Sequence, residues 1–161
     1  MDRIKKLLSG LIITVAMTVS VTMLVIVLCS PWYITNIDQS LPGLFYQINR
    51  GELPDRDDVV GMRVPENPYY PDGAPFLKII RGIPGDMVTC DNRKFFVNGV
   101  FAGVAKEQTK RGNPLTLGPT GVIPPDNYFV WTPHKDSYDS RYGEVGWVTK
   151  QHILGTARRV L

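Results

Sequence analysis

From Leu7 to Leu28 the chain runs for 22 residues without a charged side chain, and no other feature constrains its fold so strongly. A helix needs about 20 consecutive apolar residues to cross a bilayer core, so the run predicts a spanning helix. Cleaved secretory leaders have a shorter apolar region of about 7 to 15 residues, followed by small residues. Here the run ends in Cys29-Ser30-Pro31, and a lipid-modified Cys29 fits poorly after the bulky Leu28. The expected organisation is a cytoplasmic N-terminus (residues 1–6), an uncleaved transmembrane anchor (7–29) and an exported domain (30–161). Arg3, Lys5 and Lys6 precede the run and the next basic residue is Arg50. The positive-inside bias therefore puts the N-terminus in the cytoplasm and the domain on the outer side. Trp32 and Tyr33 suit the headgroup region, which makes membrane lipid the first expected partner.

After Pro31 the pattern changes to short β-prone runs separated by proline and glycine, with no sustained helical periodicity. Strands are expected over Gly43–Ile48, Asp58–Val64, Phe76–Arg81, Met87–Asp91, Lys94–Val97, Val100–Gly103, Tyr128–Trp131, Val145–Thr149 and Leu154–Val160. The clearest is a hairpin, because Asn98-Gly99 is the pair that most readily adopts a two-residue primed turn. The expected class is mainly β, a partly closed sheet structure. Two long connections, Val64–Pro75 and Lys110–Asn127, are rich in proline and glycine; loops of that length tend to be functional.

Several classes are excluded early. The net charge of +3 comes without a basic tract, so nucleic acid is not an expected partner. Two cysteines, Cys29 and Cys90, make no disulfide framework, and two histidines 18 residues apart lack metal-site spacing. No cofactor or metal is expected.

The chemistry centres on "PFLKIIRGIPGD". Strand alternation puts Phe76, Lys78 and Ile80 on one face and Leu77, Ile79 and Arg81 on the other. An ammonium placed among large hydrophobes is pushed toward its neutral form, which makes Lys78 a candidate general base. The competing expectation is a lysine that snorkels its nitrogen to water. A base needs a nucleophile, and Ser40, just before Leu41-Pro42, is the candidate upstream: a neutral amine can take a serine proton. "HKDSYDSRYGEVG" then gathers Ser137, Asp139, Ser140 and Arg141 within five residues, which also suits a turn held by an Asp-Arg pair. A Ser-His-Asp arrangement of Ser40, His134 and Asp136 or Asp139 is the alternative, and it leaves Lys78 unexplained.

"SLPGLFY", "LKIIRGIPGD", "VNG", "YFVW" and "SYDSRYGEVG", in this order after one anchor, resemble the bacterial type I signal peptidase family. The closest resemblance is to its conjugative-transfer branch, the TraF-type peptidases. It implies a signal-peptidase-like β-rich domain in the periplasm, anchored in the inner membrane, with Ser40 as nucleophile and Lys78 as general base. It further implies that Ser137 orients the lysine, that Asp139 and Arg141 hold the site's shape, and that the Gly82–Asp86 turn is structural. Ile37, Leu41 and Ile80 are expected to line shallow substrate pockets. The implied substrate is a pilin precursor for conjugative transfer, cleaved or cyclised; the alternatives are a general preprotein or a non-enzymatic role in an envelope assembly. A self-cleaving repressor domain fits poorly behind an apolar anchor. Three departures stand out. Only one residue separates Ser40 from Pro42, Asp38 occupies a position where a hydroxyl often assists the oxyanion hole, and Thr132-Pro133-His134 replaces the usual Gly-Asp-Asn.

Overall fold

A computed structural model of the chain describes residues 2–29, 32–37 and 40–161. The chain divides into two units, Met1–Pro31 and Trp32–Leu161. The first is a single helix, α1 (Asp2–Cys29), with side chains described at residues 8 and 10–25. Along it the hydroxyls of Thr14, Thr18 and Thr22 each donate to the carbonyl four residues back, at 2.8–2.9 Å. These bonds satisfy the threonines within the helix itself. Among the described residues no helix is long and apolar enough to cross a membrane.

The second unit is antiparallel β. Its strands are β1 (Trp32–Thr35), β2 (Phe45–Arg50), β3 (Val59–Arg63), β4 (Pro75–Gly82), β5 (Met87–Asp91), β6 (Lys94–Val97), β7 (Val100–Val104), β8 (Gly121–Val122), β9 (Asn127–Trp131), β10 (Val148–Thr149) and β11 (Ile153–Arg159). A seven-stranded sheet has the order β1-β2-β11-β3-β4-β9-β10, and a four-stranded sheet the order β7-β6-β5-β8. The hairpin expected at Asn98-Gly99 is present: both residues have positive φ, 49° and 77°, and Val97 pairs with Val100 across the turn. Close approach of β11 to β2 depends on Gly155, whose φ is +148° and where a Cβ would lie 2.0 Å from the Asn49 carbonyl oxygen. Only glycine meets both conditions.

One strand, β1, is additional to those expected, and two expectations need correction. Trp32 and Tyr33 form part of β1, paired with Ile48 and Gln47 of β2, and the Arg50 guanidinium sits 3.4 Å from the Trp32 ring centre. Aromatic side chains suit strands as well as membrane interfaces. The strand expected over Val145–Thr149 shrinks to β10, because the N–H groups of Val145 and Gly146 both turn back to the Tyr142 carbonyl. The two-residue β8 lies inside the connection expected to be loop.

The face alternation of β4 organises the interior. Ile80, with Phe76 packed beside it, belongs to the larger core cluster around Val60, Met62, Phe95, Phe129 and Val130. Leu77, with Ile79 beside it, belongs to the smaller cluster with Ile34, Leu41, Tyr46 and Ile48. Lys78 therefore points to the same side as the larger core.

The Gly82–Asp86 turn closes β4 around a carboxylate. Asp86 accepts from the Ile83 N–H (2.8 Å) and Asn98 Nδ2 (2.7 Å) and pairs with Arg56 at 2.7 Å. Burial pushes its carboxyl up, but these bonds outweigh that and hold it below its ordinary value. A depressed carboxyl contributes stability above its unfolded pKa, about 3.9, and that stability is lost as pH falls through the lower folded value. Asp86→Asn is therefore expected to cost about 1–2 kcal/mol at neutral pH. The gap should close under acid, below about pH 4; urea unfolding at several pH values measures it, and a pH-independent gap would contradict it.

Candidate active site

Ser40 lies in the connection between β1 and β2, 5% exposed. Asn36, also buried, shapes this loop: its Nδ2 donates to the carbonyls of Leu41 and Gly43, and its backbone N–H donates to the Leu44 carbonyl at 2.8 Å. Below it the Tyr46 hydroxyl donates to the Pro42 carbonyl. The loop is thus fastened at 41, 42, 43 and 44, immediately after the serine. Sequence reasoning missed Asn36, although an asparagine four residues ahead of a proline-containing turn is the kind of side chain that bonds nearby backbone. Asp38, expected to matter for the oxyanion hole, lies outside the described residues.

Lys78 is 2% exposed, so it does not snorkel. Its Nζ donates to Ser137 Oγ at 3.0 Å and lies 5.0 Å from the Phe76 ring centre. Ser137 is itself buried, and its N–H donates to the His134 carbonyl at 3.0 Å. Behind it stands a buried ion pair: Arg141 donates to both carboxylate oxygens of Asp139, at 2.8 and 2.9 Å, with the two side chains 3% and 0% exposed. Burial works against the guanidinium charge, yet the bonds to Asp139 raise the Arg141 pKa above its ordinary value. The same guanidinium donates to the carbonyls of Ser137 and Val104, each at 3.3 Å. Ser140 fastens the segment to β9, accepting from the Val130 N–H at 2.9 Å and donating its own N–H to the Val130 carbonyl. Gly118 lets the neighbouring loop approach, since a Cβ there would fall 2.1 Å from the Ser140 carbonyl oxygen.

One loop links the two candidate residues. An open cleft at Ser40 is bordered by Leu41, Pro42, Gly43, Leu44, Pro133 and His134, and three residues past His134 the chain reaches the Ser137 hydroxyl that holds Lys78. Of the residues expected to line substrate pockets, Leu41 borders this cleft. Ile80 is completely enclosed in the larger core, so it forms no pocket wall at Ser40, whereas Ile37 is 84% exposed. Alternation alone could not distinguish a buried position from a pocket-lining one.

The Ser-His-Asp alternative fails on its bonds. His134 Nδ1 accepts from the Asp136 N–H at 3.2 Å, so in the neutral ring the proton sits on Nε2, the atom a triad requires to be the base. The carboxylates are committed elsewhere, Asp139 to Arg141 and Asp136 to Lys106 and Lys110.

The family model described as "Signal peptidase, peptidase S26" matches residues 5–161. Signal peptidase I of Bacillus amyloliquefaciens is 37% identical over 104 residues, covering 59% of this chain and 52% of the relative. Signal peptidase I P of Bacillus subtilis subsp. natto is 39% identical over 89 residues, covering 50% and 47%. The chain thus spans about half the length of the curated relatives it matches. A solved signal peptidase I from Enterococcus faecalis aligns over 65% of this chain and 97% of its own, with 23% identity and a TM-score of 0.44.

Proposed function

The chain belongs to the signal peptidase, peptidase S26, family, and from that premise we propose that it is a serine endopeptidase that cleaves an exported preprotein through a Ser40-Lys78 pair. The observation that carries the proposal is a lysine only 2% exposed whose nitrogen is held by Ser137, on the loop that also borders Ser40. Neutral Lys78 takes the Ser40 proton, Ser40 Oγ attacks the scissile carbonyl, and Lys78 returns the proton to the leaving amine. An acyl-enzyme remains, and an acceptor then releases it. The backbone N–H of Ser40 is the proposed donor to the developing oxyanion. Ser137 keeps the amine aimed, while Asp139 and Arg141 hold Ser137.

The substrate is proposed to bind as an extended segment by strand addition, with backbone bonds giving affinity and alternate side chains giving selectivity. The uncharged run from Leu7 to Leu28 and the threonines satisfied within α1 support a membrane anchor, with the catalytic unit on the outer face. Both named relatives are signal peptidases I, which favours a general preprotein. Resemblance of the Ser40-Leu41-Pro42 spacing to the conjugative branch favours the narrower reading, a pilin precursor with water or an amine of the same chain as acceptor.

The test is incubation with preprotein and prepilin candidates, followed by mass spectrometry of products and enzyme. The expected result is an acyl adduct on Ser40 and a product that shows by one water whether it is hydrolysed or cyclised. Product formation with the adduct on another residue would overturn the assignment.

A further inference from the structure

A second cavity, of about 450 Å³, adjoins the Ser40 cleft at His134 and has a size that suits a ligand group. His134 borders both cavities, and Ser137 borders this one. Its wall is aromatic. Tyr138 stacks on Tyr142 at 5.8 Å and meets Tyr69 and Tyr70 at 5.8 and 5.4 Å. The two long connections build it together, tied by the Tyr69 hydroxyl donating to the Pro114 carbonyl at 2.8 Å.

Its rim is basic. Lys106 and Lys110 both pair with the single carboxylate of Asp136, Lys110 at 3.2 Å, and Arg111 stands on the same rim. Among the lining residues one carboxylate stands against three cations, an excess of positive charge at the rim that Glu144, behind Tyr138, only partly offsets; hydrogen bonds from the two lysines hold Asp136 at about 2. Tyr138 adds a buried hydroxyl with no partner among the described residues. Its pKa is raised by burial and by the nearby Glu144, so it remains a protonated donor.

We infer that this cavity is a second substrate subsite, which holds an aspartate or glutamate side chain of the polypeptide whose scissile bond lies at Ser40. The inference rests on the peptidase function proposed above. A chain extended through the Ser40 cleft meets this cavity on passing His134. Rim cations supply the charge complement to a carboxylate, and the tyrosine faces seat its methylenes.

The test uses the full chain carrying Ser40→Ala and labelled peptides spanning a scissile site. Glu, Gln or Lys is placed at each flanking position in turn. At one position Glu should bind roughly fivefold tighter than Gln, the scale of a partly exposed ion pair, and the preference should fade with added salt. Lys110→Glu should abolish it and favour the Lys peptide. No position that distinguishes Glu from Gln, or a preference that survives Lys110→Glu, would overturn the subsite. Cleavage is measured separately with Ser40 in place: cleavage without the Glu preference refutes the subsite alone, whereas the preference without cleavage refutes the peptidase reading and leaves an acidic-peptide site.

Discussion

Lys78→Met is expected to abolish processing while leaving the protein folded. Methionine keeps an unbranched chain of similar volume beside Ile80 and Phe76 and loses only the amine and its bond to Ser137 Oγ. The stability cost should stay near 1 kcal/mol, since volume-conserving swaps are tolerated and a single hydrogen bond contributes about that much. Loss of the base should lower the rate by at least about a thousandfold, because general-base help and activation of the nucleophile disappear together. Lys78→Arg should fail as well, as a guanidinium does not release its proton at working pH. Since the pair acts as a unit, adding Ser40→Ala to Lys78→Met should cost little more than either change alone. The measurement is the initial rate of preprotein conversion beside a urea unfolding curve. Conversion near the parental rate by a folded Lys78→Met protein would remove the proposed mechanism.

The second large effect falls on stability. Asp139→Ala leaves the Arg141 guanidinium buried, 3% exposed, with only carbonyl acceptors at Ser137 and Val104. Removing one partner of a buried ion pair costs about 3–5 kcal/mol, because the remaining charge is uncompensated. The change should propagate to activity, because the Arg141 contact that helps position Ser137 loses its anchor and Ser137 in turn holds Lys78. Asp139→Leu combined with Arg141→Met should cost much less than the sum of the single changes, since apolar replacement of both partners leaves no buried charge. Denaturant unfolding of the four proteins completes the cycle. A loss below about 1 kcal/mol for Asp139→Ala would show that the pair is exposed in solution and does not support the site.

The same residues show how far local pattern reaches. Alternation along 76–81 correctly separated two faces and put Lys78 with Phe76 and Ile80, because a strand's side-chain period is independent of what packs on it. The Asn98-Gly99 hairpin was equally legible, since positive φ at both positions is a property of the residues themselves. Pocket walls were not legible in this way. Ile80 and Leu41 look alike as apolar residues near candidate catalytic groups, yet one is enclosed by the core and the other borders the Ser40 cleft. The tyrosine wall and the Asp136 cluster were missed for a related reason: each depends on segments distant in sequence meeting.

What the sequence determined alone was therefore local: an uncharged run of 22 residues, the faces of β4, the primed turn and the residue types from which a site could be built. Tertiary structure decided which of those residues meet. Strand pairing between β3, β4 and β9 brings residue 78 to the 133–141 segment, and only there do burial, the Ser137 hydroxyl and the Asp139-Arg141 pair act on one amine. Solvation and hydrogen-bond geometry belong to an assembled environment, so they cannot be read from the order of residues that create it.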